Sequence, residues 1–293
     1  MGILRGLWRT NSLFFLNVYF FGLSFLWNGL SVILLPAILA PLVPATRKNA
    51  YLGLLSSVGL AVAAVAQPLS GHLSDRIRTP WGRRRPWILA GTLGDFACLA
   101  LLGAAGGVPA IAAGYILLQV TSNIAHGPAF GLIPDLVPPQ HRGTAAGAKS
   151  LAEMAGLIAG GLVAGHLAEQ GHPRAGLAVI GLVLGLCLLG TLAGVREGAP
   201  PATAAAQPKG TDRPPLARRL GAAVREAWTE HGDYLWLLAA RFVMLVAITP
   251  VQGFAQYYVQ DFLHVPHPAA ATGQLMATTG LSVLVAVYPA GVL

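Results

Sequence analysis

Three ionisable side chains, Asp95, Glu153 and Arg241, stand inside stretches of sequence that are otherwise apolar. At bilayer depth such a group costs several kcal/mol unless it is paired or wet, so each is a functional candidate. A buried carboxyl group can alternate between charged and neutral forms, the chemistry of a proton carrier, while a guanidinium can hold an anionic group or pair with a carboxylate. Asp95 and Glu153 each fall nine residues into their apolar runs and Arg241 seven residues into its own. Nine residues of helix rise about 14 Å, close to the middle of a ~30 Å hydrocarbon layer.

Uncharged polar residues recur at helical spacing in the same stretches. Asn17, Ser24, Asn28 and Ser31 form one set, Gln119, Asn123 and His126 a second, and Thr249, Gln252, Gln256 and Gln260 a third. Steps of three, four and seven put each set on one helix face, which lipid does not solvate. Such faces line a watery cavity or make interhelical hydrogen bonds. Amides and hydroxyls that both donate and accept, with Trp27 nearby as a flat platform, suit a sugar better than a lipophilic drug. His126 reads first as a hydrogen-bonding partner and only second as a proton relay.

The elements that must position these groups are membrane spans. Of 293 residues 55% are hydrophobic and 10% charged, against roughly 25% charged in soluble domains. Runs long enough to cross a bilayer are predicted at Leu13 to Ala40, Tyr51 to Leu73, Pro86 to Gly106, Pro109 to Leu136, Thr144 to Glu169, Arg174 to Val195, Tyr234 to Phe262 and from Ala269 onward. The net charge of +8 raises nucleic acid as a partner, and the positions of the cations argue against it. Of the nineteen lysines and arginines, Arg47, Lys48 and Arg174 fall on one side, Arg241 lies inside a span, and the other fifteen fall on the opposite side. This positive-inside asymmetry predicts a multi-pass inner (plasma) membrane protein with a cytoplasmic N-terminus and the lipid bilayer as its environment; a monomer is expected. The first apolar run is too long for a signal peptide and reads as the first span. Cys98 and Cys187 fall in different spans, so neither a disulfide nor a metal or cofactor site is expected.

Six spans follow one another on short connections before a long polar stretch. The expected domains are therefore a six-helix bundle at 1–195, a cytoplasmic linker at 196–233 and the start of a second bundle at 234–293. The linker begins Pro/Ala-rich, and then Leu216, Leu220, Val224 and Trp228 recur every four residues among arginines, the pattern of a helix lying on the inner membrane surface. Six spans, an inner linker and further spans match the two-halved plan of secondary transporters, with about four spans of the second half missing.

Two loop motifs carry a family resemblance. Gly71, Asp75, Arg76, Gly82, Arg83, Arg84, Arg85 and Pro86 resemble the G-x-x-x-D-R-x-G-R-R signature of the major facilitator superfamily, in the stretched SDR…GRRRP form of proton-coupled sucrose and related glycoside transporters. Ser122, Asn123, Gly127, Pro128 and Asp135, followed by Arg142, are similar to a second stretch of the sucrose-type proteins. Gln119 stands at the position of their membrane Asp and Phe130 at that of a following Arg, so their proton-coupling scheme does not carry over. Arg241-Phe242 and Tyr257-Tyr258-Val-Gln-Asp261 add a weaker resemblance to bacterial members. The resemblance implies an all-α major facilitator fold, a six-helix bundle plus the first two helices of the second, with Asp75, Arg76, Arg83, Arg84, Arg85, Asp135 and Arg142 forming a gate latch. It also places the fifth span at the cavity and the third outside it. Glu153 is therefore the first choice for a proton carrier; Asp95 is second, and a hydrogen bond to a neighbouring helix is as good a role for it.

The expected function is secondary active transport of a small polar solute, a sugar or glycoside, by alternating access with proton symport. Asn28, Gln119, Asn123, His126, Arg241, Gln252 and Gln256 are the candidate solute contacts, beside Glu153 and Asp95. Drug or metabolite efflux is the alternative on the same fold, and a non-transporting fragment or regulatory membrane protein is the alternative of another class. An intramembrane enzyme is not expected, since no G-x-S-x-G nucleophile motif is present and His126 is the single histidine well inside a span.

Overall fold

A computed structural model describes residues 10–77, 79–197 and 232–292. The described residues are all-α apart from connecting segments, with one isolated bridge between Thr79 and Gly82. The first helix, α1 (Thr10–Gly29), runs on through a π-helical segment (Leu30–Leu34) into a short α segment (Leu35–Leu39). It is followed by α2 (Lys48–Arg76), α3 (Arg85–Ala104), α4 (Val108–Leu136), α5 (Arg142–Glu169), α6 (Pro173–Gly194), α7 (Gly232–Asp261) and α8 (Pro268–Val292). Among the described residues seven helices are long and apolar enough to cross a membrane, matching the first seven predicted runs. Pro86, Pro109 and Pro173 sit in the first turns of α3, α4 and α6, where a missing N–H leaves no helical bond unmade. The expected surface helix around Leu216 to Trp228 lies outside the described residues.

Polarity is distributed as lipid demands. Leu54, Leu60 and Leu182 turn outward with more than 60% of their surface exposed, while Asp95, Ser122 and Thr92 are wholly enclosed. In hydrocarbon, burial of large apolar side chains drives no helix association, so small residues and polar contacts hold the helices together.

The helices form two compact units, one of residues 1–198 with 254–293 and one of residues 199–253. In the first, α1 packs mainly on α5 and α6, α2 and α3 pack on α4, and α8 packs on α5. Helix α5 is the hub because two faces of it are glycine. A Cβ on Gly156 would stand 2.4 Å from the Phe21 carbonyl oxygen, and one on Gly160 2.6 Å from that of Phe25, so α1 lies directly against this stripe. On the other side, a Cβ on Gly165 would stand 2.7 Å from the Ala269 carbonyl oxygen, bringing α8 equally close. The second unit contributes the first part of α7, which carries Arg241 and Gln252.

Candidate functional site

Close approach of α1 to α5 sets the first part of the site. Ser24 donates from Oγ to the Glu153 carbonyl oxygen at 2.6 Å, and Asn28 donates from Nδ2 to the Ser24 carbonyl oxygen and Oγ at 2.9 and 3.1 Å. Across from them, Gln119 on α4 donates to the Tyr115 hydroxyl (3.1 Å) and Asn123 to the Gln119 carbonyl oxygen (2.7 Å). Trp27 meets Tyr115 edge to face, with ring centres 6.4 Å apart. One turn or more farther along, His126 stacks on Phe130 at 4.6 Å, and Phe20 of α1 packs against both rings. Lys149 of α5 completes the group. Its ammonium lies 2.6 Å from Glu153 Oε1 and over the faces of Phe20 and Phe130, 4.9 and 4.6 Å from their centres.

The structure thus connects Asn28, Gln119, Asn123, His126 and Glu153 through contacts among α1, α4 and α5, with Gln119 and Asn123 themselves buried and Ser70 of α2 donating to the Asn123 carbonyl oxygen at 2.8 Å. Neither Lys149 nor the aromatic pair Phe20 and Phe130 was prominent in the sequence; Lys149 reads there as one of fifteen inner-side cations. Its spacing of four residues from Glu153 is the signal that could have paired them.

Asp95 is elsewhere. It is completely buried on α3, accepting a 2.6 Å hydrogen bond at Oδ1 from Thr121 of α4. Its other oxygen has no partner among the described residues. The contact with Thr121 is the hydrogen bond to a neighbouring helix that is one of the two expected roles for Asp95. Gln256 is also buried, with its amide nitrogen directed to the carbonyl oxygens of Ile33 (2.8 Å) and Val32 (3.1 Å) in the π-helical segment. Beside it, Tyr257 donates to the Pro36 carbonyl oxygen (3.1 Å), and Asp261 pairs with Lys48 at 2.7 Å. The Tyr-Tyr-Val-Gln-Asp stretch therefore ties the end of α7 to α1 and α2. Lys48 is accordingly the buried first residue of α2 rather than a loop cation.

The opposite ends of α2 and α4 carry the loop motif. Arg84 is 6% exposed and spans Asp75 (2.6 Å), Asp135 (3.0 Å), Ser74 Oγ (2.6 Å) and the Gly71 carbonyl oxygen (3.2 Å). Arg83 also reaches Asp135, and that hydrogen bond raises the Arg83 guanidinium above its ordinary pKa, keeping the pair charged. Asp75 thus serves an arginine. The helix N-terminus goes to Glu197, whose carboxylate accepts the backbone N–H groups of Arg83 (2.6 Å), Arg84 (3.0 Å) and Arg85 (2.8 Å) at the start of α3. Gly82 adopts φ +110°, and a Cβ there would stand 2.6 Å from the Glu197 carboxyl carbon. Arg85 donates to the Leu192 carbonyl oxygen, and Arg142 caps the end of α4 through the Pro134 and Val137 carbonyl oxygens. Arg76 is exposed at the end of α2.

Comparison with known proteins agrees with this architecture. The chain is 32% identical over 94 residues to the sucrose transport protein SUC4 of Arabidopsis thaliana, covering 27% of this chain and 18% of that one. It is 25% identical over 243 residues to the multidrug resistance protein MdtG of Klebsiella pneumoniae, covering 80% of this chain and 53% of the relative. The chain therefore spans about half or less of the length of these relatives. The crystal structure of a D-xylose-proton symporter superposes with a TM-score of 0.60 at 16% identity, over 92% of this chain and 65% of the symporter. The Major Facilitator Superfamily profile matches residues 13–293. On that match, and on an all-helical bundle whose Asp75–Arg84–Asp135 loop stands where the motif requires, the chain belongs to the Major Facilitator Superfamily.

Proposed function

We propose that this protein carries a small polar solute, a sugar or glycoside, across the plasma membrane by alternating access coupled to proton symport. The observation that carries the reading is the connected face of α1, α4 and α5, where Asn28, Gln119 and Asn123 offer amides, Trp27 and Tyr115 offer flat rings, and Glu153 offers a carboxylate. Amides that donate and accept match hydroxyl-rich solutes, and an ionisable group beside them is the element a proton-coupled cycle needs. The arginine-rich loop faces the cytoplasm in this reading, as does the N-terminus, and the protein acts as a monomer. Arg241 and Gln252, on the first part of α7, remain candidate solute contacts of the second unit.

Uptake of labelled sucrose and xylose by cells expressing the protein, abolished by a protonophore, tests the proposal. Absence of uptake together with raised drug resistance would replace it with efflux, in keeping with the multidrug resistance named for MdtG, whose similarity extends over most of the chain.

The loop cluster supports a latch role. Asp75→Asn weakens the tie between the end of α2 and Arg84 while leaving Asp135 to hold the guanidinium. The expected result is slower transport, by about tenfold, with an unchanged order of solute preference, as for loss of a charge-assisted contact worth about 1.4 kcal/mol. Transport rates for a panel of sugars check this, and an altered preference contradicts it.

A further inference from the structure

By position in the chain Lys149 is an ordinary inner-side cation, but the structure encloses it. Only 16% of its side chain is exposed, and the ammonium has one anionic partner, Glu153 Oε1 at 2.6 Å. Its other close neighbours are the ring faces of Phe20 and Phe130. Ring faces attract a cation but do not neutralise it. The remaining carboxylates among the described residues of the first unit are committed elsewhere: Asp95 to Thr121, Asp75 and Asp135 to the loop arginines, Glu197 to the backbone N–H groups of Arg83 to Arg85, Asp261 to Lys48 and Glu169 to His267. A proton on Glu153 therefore leaves a largely enclosed ammonium without a counter-charge, a costly state that an incoming anion relieves.

We propose that Lys149 is an anion-binding group that Glu153 masks, so that protonation of Glu153 opens a site for the carboxylate of an acidic polar solute such as a sugar acid. The proposal rests on the reading of this face as the solute passage and narrows its substrate class. The proton ends on the Glu153 carboxyl group, and the Lys149 ammonium exchanges one carboxylate for another. Proton and anion enter together, and a singly charged anion carried with one proton moves no net charge.

Other titratable groups near the pair are few. Helix α4 presents His126, stacked on Phe130, whose protonation would add a second positive charge near Lys149. Helix α1 presents Tyr19, whose hydroxyl is engaged with Thr92 Oγ1 at 2.6 Å, and α6 presents Cys187, against Gly22. Between Pro268 and Val285, helix α8 carries no titratable side chain. His126 is thus the alternative source of a pH effect, and its variant separates the two.

The test is equilibrium binding of labelled glucuronate and labelled glucose to the purified protein at about pH 5.5 and about pH 7.5, with thermal unfolding as the check on folding. Glucuronate, which differs by a carboxylate in place of a hydroxymethyl group, is expected to bind about tenfold more tightly than glucose at the lower pH and to lose that preference at the higher, in keeping with one charge-assisted contact. Lys149→Gln is expected to erase the preference and Lys149→Arg to retain it. Glu153→Gln is expected to bind glucuronate equally at both pH values, while His126→Asn keeps the wild-type pH dependence. A preference that survives Lys149→Gln, or a pH dependence removed by His126→Asn and kept by Glu153→Gln, overturns the proposal. Glucose binding without any preference for glucuronate overturns it and leaves the polar-solute reading standing, whereas failure of both sugars to bind at either pH overturns both.

Discussion

Glu153→Gln is expected to remove proton-driven accumulation of solute and to leave solute exchange across the membrane intact. The side chain is the one carboxylate on the α1, α4 and α5 face, and glutamine keeps its shape and an oxygen for Lys149 while losing the ability to take up a proton. The bond that joins the two helices here is unaffected, because Ser24 donates to the backbone carbonyl of residue 153. With one proton per solute, each pH unit of gradient supplies about 1.4 kcal/mol, enough for about tenfold accumulation. In proteoliposomes the wild-type protein is expected to reach that ratio, the variant a ratio of about one, and both to exchange labelled for unlabelled solute. Loss of accumulation and exchange together would mark a structural lesion and count against the coupling role.

Gly160→Leu is expected to be the most damaging single substitution in the bundle. Its Cβ would stand 2.6 Å from the Phe25 carbonyl oxygen and 3.0 Å from the Phe25 Cα, both backbone atoms that cannot rotate aside. Helix α1 would have to move off α5, breaking the Ser24 to Glu153 hydrogen bond and separating Phe20 from Lys149. Overpacking of a tight core costs about 1–3 kcal/mol, and a backbone obstacle puts this site at or above the upper end. Gly147→Leu on the same helix is the matched control, since nothing lies within 4 Å of the added Cβ. Thermal unfolding in detergent should show Gly147→Leu close to wild type and Gly160→Leu strongly destabilised or unfolded; equal stability of the two would contradict the packing described.

What could be read in the sequence was what is periodic or local. The predicted run Pro109 to Leu136 became α4 at Val108–Leu136, and Arg174 to Val195 became α6 at Pro173–Gly194, because apolar length and first-turn prolines mark helix ends without reference to the rest of the fold. The Gln119, Asn123 and His126 stripe emerged on one face for the same reason. Depth along a helix was legible too, but depth did not separate Asp95 from Glu153. One lies against Thr121 in a helix seam and the other beside Ser24 and Lys149, a difference set by which helices meet. Glu197 was missed because its task lies more than a hundred residues back, at the N–H groups of Arg83 to Arg85. The glycines of α5 were passed over in a search for groups that do chemistry. Their spacing, Gly156 with Gly160 and Gly161 with Gly165, was the available sign of two close helix neighbours. The π-helical segment at Leu30–Leu34 has no local signal; the carbonyl oxygens there meet Gln256, a partner supplied by another helix.

The claim that solute passes along the α1, α4 and α5 face is tested most directly by its access to water. In protein with Cys98 and Cys187 replaced by serine, a cysteine at position 28 on this face should react with a water-soluble maleimide, and bound sugar should slow that reaction. A cysteine at position 117, where Leu117 is 49% exposed on the outward side of α4, should stay unreactive, because a thiolate does not form in hydrocarbon. Reactivity at position 28 with protection by solute is the predicted result. An unreactive or unprotected position 28 would contradict the account.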